Sequence, residues 1–518
     1  MSAHHITLSD VSSENARRYP DTVAVIDGDV RLTWPQFERR VNQTANVLLD
    51  HGVGRGDRIL WLAQSSRRFL ELFVAAARIG AMICPVNWRQ SAQEMAFVVD
   101  DFDPRVVIWQ AEEIGDAIGN ARALASAEAV WLQHDSAAAD GYEALVTAAP
   151  DTPPASGDVS ADDPLLVIYT AAIIDRPGGS MLSHRNLLTM ASTTARITGT
   201  DHSAVFVNSG PLFHIGNFQF ESLSTFLMGG TNIYVRRVEA AEILRLIADE
   251  KVTSAFLMPP TIFEIKELNR TEGLDISSLR AGAFTPVWGD ALPADPNLWA
   301  RQSGGFGQTE VTGLALLRGF GEPGLGNGGR PSPFTQVKIV DTDRNEVPDG
   351  EIGEIAVRGE TVHLGYWNRP EVNADRFLPG GWWRTTDAGR READGTISFL
   401  GTMTRMIKSA AENIYPPEVE GALASHPAVA KAAIIGVPDA AFTQSVKAVV
   451  ALKEGASATA EELIEHVRAQ IASYKKPKSV EFVVELPTVN GQTDYDALDA
   501  QFGGGGYPGK TDITQTVG

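Results

Sequence analysis

Residues 37–62, FERRVNQTANVLLDHGVGRGDRILWL, form a helix, turn and strand pattern on which the fold assignment rests. Apolar residues between Phe37 and Leu49 recur at the spacing of one buried helix face. The glycine-rich stretch 51–57 ends that helix, and the apolar stretch 58–62 predicts a buried strand. A helix followed at once by a strand indicates a sheet that is covered by helices.

The same alternation continues along most of the chain. A helical pattern at 69–79 ends at Gly80 and precedes a strand pattern at 81–86. Later units combine a strand at 205–207, a helix near 221–227 and a strand at 232–235. We therefore predict an α/β fold, with a large N-terminal domain of layered, mostly parallel sheets covered by helices.

The pattern changes twice toward the C-terminus. Between residues 335 and 400, short strands alternate with Asp-Gly turns and predict a small β-rich subdomain. After Gly401, helices and strands alternate again over roughly a hundred residues, which predicts a small α+β C-terminal domain. We place the N-terminal domain at 1–403, the C-terminal domain at 404–502 and a flexible glycine-rich tail at 503–518.

The composition disfavours several classes of protein. Lys and Arg total 44 against 65 Asp and Glu, a net charge of −21, which disfavours nucleic acid and anionic membranes as partners. The N-terminus lacks the layout of a signal peptide and no apolar run is long enough for membrane insertion, so we expect a cytoplasmic protein.

Cys84, the one cysteine, lies in a strand pattern and is interpreted as a buried apolar residue. The oligomeric state stays open, a homodimer included.

A glycine-rich stretch at 304–310, GGFGQTE, combines side chains suited to a nucleotide. Its glycines would let main-chain NH groups approach a ligand, and Phe306 could stack on a base. Thr309 could donate a hydrogen bond to phosphate, and Glu310 could hold a hard cation. A glycine-rich turn ahead of a helix explains the same residues, and the pattern alone does not choose between the two.

Three other features have two interpretations each. Asp387 ends the stretch WWRTTD and could accept hydrogen bonds from a ribose, or it could cap a turn. His214 in the stretch PLFHIG is either a packed core histidine or a group that meets a ligand. A loop at 169–179 follows an apolar strand, a usual position for phosphate, but its apolar and acidic residues and lack of lysine suit that role poorly.

Taken in order, these stretches resemble the superfamily of acyl-CoA synthetases, luciferases and peptide-synthetase adenylation domains, and most closely the acyl-CoA synthetases. The similarity extends from Leu32 to Gly491. It implies that a carboxylate attacks ATP to give acyl-AMP and pyrophosphate, and that CoA displaces AMP after a mobile C-terminal domain rotates. ATP, CoA and Mg²⁺ are the implied cofactors, and a fatty or other organic acid is the implied small-molecule partner.

The resemblance also implies roles for individual residues. Phe306 and the backbone of residues 282–284 would form the adenine pocket. Glu310 would bind Mg²⁺, and Asp387 would accept hydrogen bonds from the ribose hydroxyls. His214 lies at the mouth of the acyl pocket in the family pattern, and Lys408 matches the loop that faces the site during thioester formation. The implied set is catalytic Thr309, Glu310, Lys408, Gln492 and His214, and nucleotide-binding Thr170, Gly282, Ala283, Phe284, Phe306, Gly307, Gln308 and Asp387.

Several positions depart from the family pattern. Where the family's phosphate loop has serine, glycine, threonines, glycine and lysine, this chain has Ala171, Ala172, Ile173, Ile174, Asp175 and Gly178. Thr404 replaces the hinge lysine or aspartate, Ala410-Ala411 replaces a glycine pair, and Gln492 replaces the late catalytic lysine. Because that lysine stabilises charge in the adenylation transition state, its loss should slow adenylation by on the order of 10² to 10³.

These departures leave three functions open. The first is an AMP-forming acyl-CoA ligase with impaired adenylation, and the second is a catalytically deficient homologue that binds AMP or acyl-CoA. The third is an enzyme that reuses the site for other thioester or adenylate chemistry. We expect the acyl group to lie near Phe213, Asn217, Phe218 and Trp288, whose bulk favours short or aromatic acids.

Overall fold

The computed structural model describes residues 5–155, 157–170, 176–280, 285–293, 295–320, 323–403, 406–410, 412–489 and 492–507, and of Thr285, Pro286, Trp299, Arg301, Val489 and Gln492 the backbone alone. A large N-terminal part of sheets and helices is followed by a smaller C-terminal part. The predicted fold class is therefore confirmed.

The helix and strand predicted within residues 37–62 both form. The helix Trp34–Asp50 begins after Thr33, whose backbone NH donates to the Gln36 side chain at 2.8 Å. The apolar helix face is buried in the core as far as Leu48, whereas Leu49 at the end of the helix remains exposed. The strand Arg58–Leu62 is buried because it pairs on both sides within a sheet.

Two sheets of the N-terminal part position the candidate site. In spatial order, the larger one contains Tyr366–Trp367, Gly178–Ser183, Pro164–Thr170, Met82–Pro85, Arg58–Leu62, Val106–Trp109 and Val130–Gln133. The first three strands pair antiparallel with one another. The third of them, Pro164–Thr170, and the four strands after it pair in parallel. The second sheet contains Ser254–Ala255, Val205–Asn208, Thr231–Tyr234, Val23–Asp27 and Val30–Thr33, all parallel except the last.

Antiparallel strands form the β-rich region that was predicted between 335 and 400. They are Thr335–Val340, Ile352–Gly359, Phe377–Leu378, Trp382–Arg391 and Ile397–Thr402. A smaller sheet before them contains Gly305–Gln308, Gly313–Leu317 and Arg330–Pro331. The C-terminal sheet contains Ile407–Ser409, Glu412–Ile414, Val429–Asp439, Thr443–Leu452 and Ser479–Val483, and a separate hairpin pairs Thr488–Val489 with Gln492–Thr493.

Helices cover the sheets on both sides. In the N-terminal part they are Leu8–Arg18, Trp34–Asp50, Arg67–Ile79, Ala92–Phe102, Gly115–Leu124, Tyr142–Ala148, His184–Thr198, Ile215–Asn217, Leu223–Met228, Ala240–Asp249, Pro259–Glu272, Thr285–Trp288, Leu298–Arg301 and Pro370–Arg376. Those of the C-terminal part are Pro416–Ala424, Ala460–Gln470 and Tyr495–Phe502. Within the described ranges, no helix is both long and apolar enough to cross a bilayer.

Two local expectations differ from the structure. The helix predicted near 221–227 is Leu223–Met228, and a π-helical turn, Phe218–Ser222, precedes it. Residues 503–507, assigned to the flexible tail, pack on the C-terminal sheet. Tyr507 is buried there because its hydroxyl donates to Asp499 and accepts from the NH of Gly436. Cys84 is fully buried in its strand, as interpreted, and burial raises the pKa of its thiol.

Candidate active site

A cavity of about 480 Å³ lies where the N-terminal and C-terminal parts meet. Its N-terminal wall includes Thr170, the glycine-rich strand Gly305–Gln308 and residues 383–387 of the strand Trp382–Arg391. Its C-terminal wall includes Lys408, Tyr415 and Tyr474. The structure thus brings into one cavity most of the implied site residues that it describes.

Glu310 lies in a short 3₁₀ turn, Thr309–Val311, directly after the strand Gly305–Gln308. Its carboxylate accepts a hydrogen bond of 2.6 Å from the Tyr366 hydroxyl. Burial raises the pKa of Glu310, and hydrogen bonds from Tyr366 and Thr170 oppose that rise. A buried carboxylate that faces a cavity and is held in place by a tyrosine suits a hard cation.

Asp387 lies in the strand Trp382–Arg391 and is 6% exposed. Burial, together with the nearby carboxylates of Glu310 and Glu354, raises its pKa to about 7, although a hydrogen bond from Gln308 and the charge of Arg376 act in the opposite direction. The Gln308 side-chain amide donates to both Asp387 and the carbonyl of Thr385. Gln308 and Asp387 therefore act as one polar unit at the cavity wall.

Phe306 and Gly307 lie on the same strand as Gln308. Phe306 is buried and stacks on Phe399, with ring centroids 5.2 Å apart. A Cβ at Gly307 would lie 1.9 Å from the carbonyl oxygen of Gly313. This glycine is therefore required by the close approach of the neighbouring strand, a reason that differs from the ligand approach we expected.

His214 faces the cavity and is not packed in the core. It caps the short helix Ile215–Asn217, where its Nδ1 accepts the NH of Gly216 at 3.1 Å. Although its ring is open to the cavity, the surrounding protein removes enough water to lower its pKa, and the charges of Lys408 and Arg89 lower it further against the opposing charge of Glu412. The imidazole is therefore neutral at physiological pH.

Lys408 reaches the cavity from the C-terminal strand Ile407–Ser409. Its Nζ donates to the side-chain oxygen of Asn413 at 2.8 Å, and its backbone NH donates to Gln444 at 2.8 Å. Burial lowers the pKa of Lys408, and the charge of Glu412 partly offsets this effect. Ala410, two residues later in the turn, has a left-handed backbone conformation with φ of +52°.

Other sequence predictions have mixed outcomes. Phe213 lines the cavity, whereas Phe218 packs on Phe69 and Phe73 and Trp288 lies in a separate apolar cluster. Asn217 is buried and donates to the carbonyl of Gly210. Outside the described residues lie 171–175, Gly282, Ala283, Phe284, Thr404, Ala411 and the side chain of Gln492.

The structure adds cavity residues that sequence reasoning did not select. Tyr366 and Arg376 line the cavity together with Glu310 and Asp387. The stretch Gly365-Tyr366-Trp367 offered an aromatic and glycine signal for the first of these. No local signal marks Arg376, which lies in a polar helix that resembles a surface segment.

Contacts between the two parts surround the cavity. Lys475 of the C-terminal part forms ion pairs of 2.6 Å with both Glu94 and Glu418. Arg89 of the N-terminal part pairs with Glu412 at 2.5 Å, and its guanidinium lies 5.3 Å from the ring of Phe213. Charged contacts next to the cavity therefore depend on the relative position of the two parts.

Comparisons with known proteins agree with this architecture. A family model for the AMP-binding enzymes matches residues 12–367, and one for the C-terminal domain of AMP-binding enzymes matches residues 418–491. A feruloyl-CoA synthase of an Amycolatopsis species is 34% identical over 479 residues, which cover 91% of this chain and 94% of that protein. The long-chain-fatty-acid–CoA ligase FadD13 of Mycobacterium tuberculosis is 30% identical over 89% of this chain and 90% of its own length.

A solved structure has the same fold. The amide bond synthetase McbA from Marinactinospora thermotolerans aligns over 96% of this chain and 100% of its own, with a TM-score of 0.80 and 23% identity. The family models and the curated relatives confirm, over most of the chain, the family resemblance found in the sequence motifs. The chain belongs to the AMP-binding enzyme family, the superfamily of adenylate-forming acyl-CoA synthetases.

Proposed function

We propose that this protein is an AMP-forming ligase that converts a carboxylic acid to its CoA thioester. The observation that carries the proposal is the shared cavity, whose lining includes Glu310 and Asp387 of the N-terminal part and Lys408 of the C-terminal part. Similarity to acyl-CoA ligases over most of the chain supports the same reaction. The family model that matches residues 418–491 supports a separate C-terminal domain from about residue 404.

The first half-reaction uses the N-terminal wall. In this proposal, Phe306 contacts the adenine, Asp387 accepts the ribose hydroxyls, and Thr170 and Thr309 donate to phosphate. Glu310 would hold Mg²⁺, which neutralises phosphate charge when it is bound. The fit is good because Mg²⁺ is usually held by one or two carboxylates together with substrate phosphates and water.

The second half-reaction uses the C-terminal wall. Lys408 would stabilise charge near the acyl-adenylate carbonyl while the CoA thiol attacks and AMP leaves. The neutral imidazole of His214 would form the boundary of the acyl pocket beside Phe213. Fatty or aromatic acids both remain candidates, and similarity to a feruloyl-CoA synthase supports testing aromatic acids first.

A half-reaction assay tests this proposal. The protein is incubated with Mg²⁺, ATP and a panel of aromatic and fatty acids, ferulate among them, and released pyrophosphate is measured with and without CoA. We expect slow pyrophosphate release and formation of a CoA thioester, faster in Gln492→Lys because the added charge supports adenylation. Glu310→Gln should lose the activity, whereas Glu360→Gln, an exposed carboxylate change, should retain it.

A second incubation separates the alternatives. Preformed acyl-AMP and CoA are supplied directly, which bypasses ATP and the altered phosphate loop. Thioester formation here, with no pyrophosphate release in either the parent or Gln492→Lys, would indicate an enzyme restricted to the later chemistry. Nucleotide binding without product in either assay would contradict the ligase proposal and favour a binding protein.

A further inference from the structure

Arg376 is a buried cation at the wall of the candidate nucleotide cavity. It is the last residue of the helix Pro370–Arg376, and it is 8% exposed. Its side chain lines the cavity together with Glu310, Tyr366 and Asp387. Its positive charge lowers the pKa of both Glu310 and Asp387 against the larger effect of burial, so it lies near both carboxylates.

The guanidinium of Arg376 has unused hydrogen-bonding capacity. Within the described part of the chain it donates no hydrogen bond. Its nearest ion-pair partner is the carboxylate of Glu354, which lies 4.0 Å from the guanidinium. Glu354 already accepts hydrogen bonds from Arg384 at 2.7 Å and from the backbone NH of Thr386 at 2.8 Å. Arg376 is therefore not needed to satisfy Glu354, although buried arginines usually have close partners.

Other cations at the cavity have partners in the protein. Arg384 donates to Glu354, Lys408 donates to Asn413, and Lys475 forms ion pairs with Glu94 and Glu418. Among the described arginines and lysines that line the cavity, Arg376 is the one that donates no hydrogen bond within the protein, so its donors are available to a ligand. A guanidinium with free donors next to a nucleotide site is suited to phosphate because it can form two parallel hydrogen bonds to phosphate oxygens.

We propose that Arg376 binds the phosphate chain of ATP and supplies positive charge that the altered phosphate loop and Gln492 lack. This inference rests on the proposed function, since it requires ATP in the cavity. In the sequence of the altered phosphate loop, residues 171–175 and Gly178 stand where the family pattern has hydroxyl-bearing residues, glycines and a lysine. Arg376 reaches the cavity from the helix Pro370–Arg376, so the charge comes from a new position and not from the loop.

Calorimetry with three ligands tests the assignment. ATP, AMP and adenosine are titrated in buffer with Mg²⁺ into the parent protein, Arg376→Met, Arg376→Lys and Arg344→Met. Arg344 is a matched surface control, because it is exposed and pairs with Asp375 of the same helix at 2.8 Å. We expect Arg376→Met to weaken ATP about tenfold or more while adenosine is unchanged, since the lost contact is a charge-assisted hydrogen bond to phosphate.

The other variants complete the test. Arg376→Lys should recover part of the ATP affinity because it restores the charge without the planar fork, and Arg344→Met should bind all three ligands as the parent does. An equal loss for ATP and adenosine, or no loss for ATP, would overturn the role of Arg376. Failure of the parent to bind any of the three would instead overturn the proposed function. If Arg376→Met does not fold, Arg376→Lys decides the test. Weaker ATP binding and unchanged adenosine binding in Arg376→Lys would support the assignment, whereas ATP binding as tight as in the parent would overturn it.

Discussion

Asp387 is a carboxylate whose position favours function over stability. Its pKa of about 7, raised mainly by burial, lies above the ordinary value of 3.8. The folded protein therefore holds a proton that the unfolded chain has released, and the free energy of unfolding falls as the pH rises from about 4 to about 7. Near neutral pH the folded protein bears this cost for a group that is useful if it accepts hydrogen bonds from ribose.

Asp387→Asn should remove that cost. We expect the variant to be more stable than the parent at pH 8, by as much as about 4 kcal/mol, and nearly equal to it at pH 4. Its adenosine affinity should fall, because an amide cannot accept both ribose hydrogen bonds as a carboxylate does. Urea unfolding at both pH values measures the effect, with exposed Asp343→Asn as the control. Equal stability differences at the two pH values would contradict the assigned pKa.

At the scale of single elements, the turn after Lys408 contains a strained residue. Ala410 joins the strands Ile407–Ser409 and Glu412–Ile414 with φ of +52°, a region that favours glycine. The family pattern has glycine at this position. A methyl group in this conformation costs about 1–2 kcal/mol, part of which is offset by the lower entropy of alanine in the unfolded chain.

Ala410→Gly should therefore stabilise the protein by about 0.5–1 kcal/mol. The measurement is the free energy of unfolding from urea titration. Ala441→Gly provides the matched control in the same domain, because Ala441 is exposed and has no left-handed backbone. The control should be destabilised, since glycine there only adds unfolded-state entropy. A loss of stability in both variants would show that Ala410 is not strained.

Elements with strong apolar periodicity could be predicted from the sequence. The helix Trp34–Asp50 and the strand Arg58–Leu62 follow directly from such patterns. The π-helical turn Phe218–Ser222 could not be predicted, because its register depends on packing against Phe69 and Phe73 and not on local propensity. The same holds for the candidate site: motifs indicated Glu310 and Asp387, but tertiary contacts alone bury Arg376.

On the scale of the whole molecule, Lys475 forms an ion pair between the N-terminal and C-terminal parts. It is 3% exposed and lies between Glu94 of the N-terminal part and Glu418 of the C-terminal part. Burial lowers its pKa, but the charges of Glu418 and Glu94 outweigh this effect and raise the pKa above the ordinary value. A second contact from the Ser91 hydroxyl to the carbonyl of Gln470 lies nearby at 2.8 Å. These contacts hold the parts in the arrangement that places Lys408 in the cavity.

Lys475→Met should weaken this arrangement, because it leaves two largely but not fully buried carboxylates without their cation. Breaking a buried pair in this way costs about 3–5 kcal/mol, which predicts a fall of on the order of 10² or more in thioester formation from preformed acyl-AMP and CoA. Pyrophosphate release should fall much less if adenylation uses a different arrangement of the parts. Lys453→Met, an exposed change in the same part, should leave both rates unchanged. An equal fall in both half-reactions, with normal thermal unfolding, would show that Lys475 does not select between arrangements.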